Sequence, residues 1–389
     1  MKQREKKSKK HYWKIMLSLL IATGILNILA CFQGFCDLYR LTVYAVISDA
    51  LGLIMAWIPF AVGEILVYLA VLAIVIYLGF LFALLFLRKK QGFRKLVVTY
   101  GKCLLGTLVV VLLLYTLNWI IPFRASFLEV KGAEKRAYTL TEVENVRNFI
   151  TNQLNACAEA VPRDENGVVI YDRRCMEKAA YESMRAQAKD YPMLSGYYPP
   201  MKFALCSDVF DWMDIGGMTI PYTMEILGNT YVNNLYFPFL IAHEASHHQG
   251  YYQEDEANFL AFLACTESED PVVRYAGYYA IYSYVHVEYL SALYDACGGD
   301  SEALEERGKD IPRLSDRVRL DRSQALEESR ERYEKDSHPA QSLQETSAQV
   351  ADTGWKVQAD LLREKCYDGV TGMVLQYYDV KEGGLDTPF

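Results

Sequence analysis

Two apolar runs in the first third of the chain limit what it can become. Ala61 to Leu87 and Val97 to Ile121 are each long enough to cross the hydrocarbon layer of a bilayer as one helix. No water is available there to satisfy an open backbone, so a spanning run must be helical. A third run, Ile15 to Phe32, follows a basic head with Lys2, Arg4, Lys6, Lys7, Lys9, Lys10 and Lys14. A basic flank before an apolar run also describes a signal peptide, but more spans follow here, and the reading is a retained anchor.

Between the first and second spans, residues 33–60 carry Asp37, Arg40 and Asp49 and end in Trp57-Ile58-Pro59-Phe60. This stretch is too polar for a clean span, and an interfacial helix on the outer surface is expected. The loop from Arg88 to Lys95 is strongly basic. Basic loops stay in the cytoplasm, so the N-terminus and residues 88–95 are placed inside and everything after Phe123 outside. Lys102, inside the third span, is close enough to the cytoplasmic end to snorkel. Cys31 follows Ile28-Leu29-Ala30, a loose match to a lipoprotein box, so its lipidation is a minor reading. The expected organisation is a membrane anchor over 1–123 and an extracytoplasmic domain over 124–389. The spans lack paired acids or histidines, which puts any chemistry in the outer domain.

Hydrophobic residues make up 52% of the chain and crowd the first third, and charge crowds the remainder. The net charge is -8, with no basic stripe beyond the membrane flanks, which argues against a nucleic-acid partner. The nine cysteines show neither zinc-finger spacing nor a Cys-x-x-Cys pair. In the outer domain disulfides are allowed but not implied, and buried free thiols serve equally well.

The outer domain reads as mostly helical. Thr139-x-x-Glu142 predicts a capping box for a helix to Cys157, and Tyr171 to Lys189 predicts another. Phe203 to Asn234 changes texture, with Gly216-Gly217, Pro221 and Gly228 between short β-prone pieces, and a small sheet is expected. Ile220 to Leu227, with Ile220 and Tyr222, is the candidate for a strand that pairs with an extended peptide. The plainer alternative is a loop that only packs on the following helix. Val272 to Ala296 is a tyrosine-rich helix in which Tyr282 and His286 are oxyanion candidates, although such a helix more often serves the core. Residues 300–340 read as solvated helices, Ser337 to Thr346 as a linker, and Gly369 to Gly372 as a lead-in to a last short helix. The fold class is therefore mainly α: three transmembrane helices, then an α+β domain with a small sheet.

One motif carries the chemistry. Pro238 to Gly250 contains His243-Glu244-Ala245-Ser246-His247. Helix positions four apart share a face, so His243 and His247 can hold one metal, and Glu244 can reach a water beside it. His248 points away, since neighbours on a helix are about 100° apart. Gly250 stops the helix. The plain alternative is two ordinary histidines and an ion-paired glutamate. The acid-rich start Glu254-Asp255-Glu256 offers a third ligand, and two histidines, a carboxylate and an open position make a catalytic type of zinc site.

These features together resemble a family of bacterial membrane proteins catalogued as a domain of unknown function and considered zinc-peptidase-like. More distantly, Glu254-x-x-Ala257-Asn258 is similar to the Glu-x-x-x-Asp/Asn signature of gluzincin peptidases. That resemblance implies a zincin-like domain with Glu254 as third zinc ligand and Asn258 supporting a zinc histidine. Glu256 is the competing ligand. The spacing from His247 to Glu254 is shorter than in typical gluzincins, and Gln253 stands where the shorter metzincin motif has its third histidine. The expected function is a membrane-anchored zinc metallopeptidase, one zinc per chain, acting on a peptide or protein outside the cytoplasmic membrane with Glu244 as general base. The alternatives are a zinc-binding membrane sensor or scaffold without turnover, and a membrane protein that needs no metal.

Overall fold

A computed structural model describes residues 2–298, 300, 302, 306–307, 311–335 and 369–389. Apolar helices open the chain: α1 (Lys2–Leu29), α2 (Gln33–Tyr39), α3 (Ala45–Ala56), α4 (Val62–Leu87) and α5 (Gln91–Tyr115). A π-helical turn, Arg40–Tyr44, joins α2 to α3, and a second, Thr116–Ile120, leads α5 into the single turn α6 (Ile121–Phe123). Four of the resulting stretches are long and apolar enough to cross a membrane: Lys10–Leu29, Gln33–Ala56, Val62–Leu87 and Gln91–Phe123. Three of these are the expected spans, and Gln33–Ala56 is a fourth candidate by length and composition, although α1 ends and α4 begins at the same level, beside the following domain. The polar residues of Gln33–Ala56, which set it apart in the sequence, face the rest of the protein. Asp37 accepts from the backbone N and Oγ of Ser126, Arg40 donates to Ser126 O, and Asp49 accepts from Tyr197 N.

The other three long helices pack together lengthwise. Tyr12 Oη donates to Lys102 O near one end of the α1–α5 pair, and Asn27 donates to Thr116 Oγ1 near the other. Tyr100 of α5 donates to Ala73 O of α4. The basic loop 88–95 joins α4 to α5 at the end remote from the following domain, beside the start of α1. At the near end, α4 is anchored by a carboxylate. Glu225 accepts from Val62 N at 2.9 Å and Gly63 N at 2.7 Å, satisfying two donors of the first turn and complementing the helix dipole. A side chain at Gly63 would meet Ile220 at 2.6 Å, so glycine permits this close docking.

The domain that follows is mainly helical. α7 (Leu140–Ala160) begins with the predicted capping box, in which Thr139 and Glu142 each bond the other's backbone N–H. α8 (Arg173–Ala186) is capped by Asp172. Then come β1 (Lys202–Phe203), α9 (Ser207–Trp212), β2 (Gly217–Ile220), β3 (Glu225–Gly228), α10 (Phe237–His248), α11 (Glu254–Thr266) and α12 (Pro271–Ala296). Helices Asp316–Lys335 and Gly369–Glu382 complete the described residues. Gly369 to Gly372 form the first turn of that last helix, not a lead-in to it. The Ser337–Thr346 linker and Cys366 lie outside the described residues. The other eight cysteines are free thiols.

The sheet has the order β1-β3-β2, with β1 parallel and β2 antiparallel to β3. α10 and α11 are buried on nearly every face. An all-round apolar helix such as Phe259 to Cys265 requires partners on every side, which here are α8, α10, α12 and the C-terminal helix. One hydrophobic core runs through α7, α8, α10, α11 and α12 and takes in Cys36, Tyr39 and Tyr44 of the N-terminal helices.

Candidate metal centre

α10 sets His243 and His247 on one face, and its end sets the rest. Gly250 takes a left-handed conformation, with φ +90°. Gly250 N then donates to His247 O and Tyr251 N to Ser246 O, the paired closure of a Schellman turn. The reversal brings Tyr251 O to 2.8 Å from His247 Nδ1 and starts α11 at Glu254. A side chain at Gly250 would also meet Tyr44 at 2.9 Å.

His243 Nε2 and His247 Nε2 lie 3.1 Å apart. Glu254 brings Oε2 to 3.3 Å from the first and Oε1 to 3.6 Å from the second. A carbonyl oxygen only accepts, so His247 carries its proton on Nδ1. Asn258 Oδ1, 3.0 Å from His243 Nδ1, assigns the same tautomer to His243. Both Nε2 atoms are thereby turned toward one point, and in the neutral imidazoles each offers a lone pair there. Tetrahedral ligands at the usual zinc distances stand about 3.3 Å from one another, and the two Nε2 atoms with the carboxylate oxygen nearer to each come close to that spacing. The donor set fits a divalent cation with a taste for nitrogen and oxygen. Among the described residues it is the one group of three such side chains whose donor atoms converge, all within 4.8 Å.

The field at this point attracts positive charge. Burial opposes a charged His243, but the hydrogen bond and charge of Glu254, with the charge of Glu244, lift it to about 9. Enclosure also works against a charged Glu254, but His243 and His247 hold it down to about 2. Burial lowers His247 to about 4 and raises Glu244 to about 7.

Glu244 sits between α10 and the sheet. Thr219 Oγ1 of β2 lies 2.9 Å from Glu244 O and 3.2 Å from its Oε2. A side chain at Gly217 would come within 3.0 Å of the Glu244 carboxylate, so glycine leaves it room. Donors, Glu244 and β2 all line one cleft of about 1140 Å³.

Several predicted residues lie elsewhere. Glu256 turns away from the cluster. It completes a capping box with Gln253 and accepts from Leu128 N at 2.5 Å. Tyr282 and His286 stack on each other 5.0 Å apart, beside Arg147, away from the cleft. Tyr284 lines it instead, with Tyr236, because two residues along a helix turn by about 200°. The strand expected at Ile220 to Leu227 is also displaced. β3 (Glu225–Gly228) is central and paired on both sides, while the edge strand facing the cleft is β2 (Gly217–Ile220). Ile220 ends that strand, and Tyr222 lies in the turn after it, both lining the cleft. His248 points away from the metal donors, as expected, and packs under Gly52 of α3.

Sequence reasoning missed a tyrosine bridge. Tyr44 Oη lies 3.0 Å from both His248 O and Tyr252 Oη, and Tyr252 donates to Asn118 O. The Tyr252 ring stacks on His247. Tyr44 and Asn118 belong to the two π-helical turns, far from the motif in sequence, and no local signal joins them to it.

Fold and site together define a class: apolar N-terminal helices docked on a helical domain, with a His–Glu donor cluster in a cleft between them. The chain belongs to the family described as Protein of unknown function (DUF3810), whose model matches residues 39–359. That span starts in α2 and includes the whole donor cluster. No curated protein and no solved structure matches this chain.

Proposed function

We propose that this protein is a membrane-anchored zinc metallopeptidase whose domain acts outside the cytoplasmic membrane. One observation carries the reading: two histidine lone pairs and a carboxylate converge beside Glu244 and an open strand edge, in one cleft. A zinc ion held by His243, His247 and Glu254 supplies Lewis acidity toward a carbonyl and acidifies a water. The chain's own groups do the rest. Asn258 and Tyr251 O fix the histidine tautomers. Glu244 takes the proton of the attacking water and passes it to the leaving amine. Backbone groups on the open edge of β2 align an extended peptide. Tyr236 and Tyr284 supply hydroxyls to the developing oxyanion. The basic 88–95 loop lies away from the domain, and by the positive-inside rule this supports an outer position for the domain.

The test uses the full chain in lipid nanodiscs. One zinc per chain is expected by elemental analysis, lost in His243→Ala and His247→Ala. Glu244→Gln should keep the zinc and lower peptide turnover by about 10²-fold or more. A Glu244→Gln protein that cleaves as fast as wild type sinks the mechanism. A zinc sensor without turnover is the second reading. It draws on the tyrosine bridge, which ties the metal helix to both π-helical turns. Saturating zinc with no hydrolysis of any peptide would favour it.

A further inference from the structure

The cleft is not closed off from the apolar helices. Its lining passes from the metal donors along β2 to Val67 and Tyr68 of α4, to Tyr115 at the end of α5 and to Trp119 in the π-helical turn after it. Val67 is 53% exposed and belongs to the outward apolar face of α4. That face continues down a helix long and apolar enough to cross a bilayer.

Three contacts hold the sheet at the level of the first turn of α4. Glu225 of β3 caps it, as described above. Ile220 of β2 packs on Gly63. Glu64 reaches back to accept from Leu205 N and Cys206 N, each at 2.9 Å. Around this level the surface is apolar and open: Trp57 is 85% exposed and Leu205 68%. Large exposed apolar side chains beside a spanning helix belong at the depth of the lipid headgroups. The cleft mouth next to Val67 therefore opens at the bilayer surface.

The strand edge has a direction that suits this mouth. β2 pairs with β3 through Gly216, Met218 and Ile220, as the bonds from Asn229 N to Gly216 O and from Met224 N to Ile220 O show. In an antiparallel ladder the alternate residues, Gly217 and Thr219, direct N–H and C=O to the other side. Among the described residues no strand covers that side. Gly217 and Thr219 flank Glu244, whereas Ile220 at the end of β2 abuts α4. An extended segment laid along this edge runs from the metal donors toward lipid.

We propose that the substrate is a polypeptide held in the same membrane by its own transmembrane helix, cut in the extended stretch just outside the bilayer. This names the substrate class of the peptidase reading and rests on it for the cutting step, though not for the docking. An anchored substrate meets the cleft by diffusion in two dimensions and leaves its helix in lipid against α4. Only the extended juxtamembrane stretch enters.

The test uses the full chain, zinc-loaded, in nanodiscs. The probe is a Leu/Ala transmembrane helix followed by a short tail of mixed sequence with a photoreactive residue near the helix. The control is the same tail without the helix. On illumination the anchored probe should label β2 or Tyr222 and α4 near Val67. It should be cleaved with a kcat/KM at least about tenfold above that of the free tail. Val67→Trp, which narrows the lipid-side mouth, should keep the zinc and cut labelling and cleavage of the anchored probe about tenfold more than cleavage of the free tail. Equal cleavage of both probes, indifferent to Val67→Trp, overturns the inference and leaves the peptidase reading standing. Labelling of the cleft without cleavage of either probe keeps the docking inference and overturns the peptidase reading. An anchored probe that neither labels the cleft nor is cut overturns the inference.

Discussion

At the scale of single residues, the centre depends on which nitrogen of each imidazole carries the proton. Tyr251 O and Asn258 Oδ1 place both protons on Nδ1, which frees both Nε2 atoms for one cation. Groups behind metal ligands are commonly worth 10- to 100-fold in affinity. Asn258→Ala should therefore weaken zinc binding by about that factor in a competition titration with a chelator, leaving the fold intact. Glu256→Ala should do the opposite. It removes the capping box and the Leu128 bond, costing about 1–2 kcal/mol in thermal unfolding, but leaves zinc affinity near wild type. Equal zinc loss in both variants would return Glu256 to the ligand set. Sequence left these two acids as rivals because both sit in the acidic first turn. They lie on opposite sides of it, and only the packed direction of α11 separates them.

Elements position the site through one glycine turn and one ion pair. Gly250 combines a positive φ with a contact to Tyr44 that has no room for a methyl group. Gly250→Ala should cost about 1–3 kcal/mol and weaken zinc binding along with it, because the same turn presents Tyr251 O and starts α11. A melt that falls while zinc affinity holds would detach the turn from the centre. The glycine stop was legible from the motif. The partner that makes glycine obligatory was not, since Tyr44 lies some two hundred residues earlier. The ion pair is Lys202–Glu225, 2.5 Å apart and buried. Burial alone would raise the Glu225 carboxyl, but Lys202 and the backbone N–H groups of Gly63 and Val62 outweigh it and hold it below its ordinary value. A carboxyl with a lowered folded pKa lends stability above its unfolded value, and that stability is lost as pH falls through the folded one. Wild type should therefore lose stability on acidification below about pH 4.5, the ordinary value, and Glu225→Gln should show a flatter acid limb from a lower starting point. Thermal melts of both proteins between neutral and acid pH measure the difference. Parallel curves would mean that Glu225 contributes nothing to the acid limb.

At the scale of the molecule, the N-terminal helices are a wall of the domain as well as a tether. Cys36, Tyr39 and Tyr44 lie in the same core as α7, α10 and α11, and Trp119 packs on Tyr252 at 4.5 Å between ring centres. Losing one buried aromatic from a core costs about 3–5 kcal/mol, and cutting the chain at Arg124 removes several at once. The fragment 124–389 should bind zinc far more weakly than the full chain, and show broad unfolding with exposed apolar surface by dye binding. Stoichiometric, tight zinc in a fragment that unfolds sharply would reduce the helices to an anchor. The segment 33–60 shows what a sequence reading leaves out. Asp37, Arg40 and Asp49 look like charges that keep a helix out of lipid, but each is spent on a contact with the domain.

Local pattern was sufficient for the parts of this protein governed by local physics. Long apolar runs have to be helices in lipid, a Thr-x-x-Glu start caps α7, and two histidines four apart share a face of α10 whatever surrounds them. Contacts between distant segments needed the folded chain. They decide that Glu254 and not Glu256 joins the histidines, that Tyr284 and not Tyr282 or His286 faces the cleft, and that β2 and not β3 is the open edge. Each of those choices is an orientation about a helix axis or a place in a sheet. Packing against residues far along the chain sets such orientations, and neighbours in sequence carry no record of it.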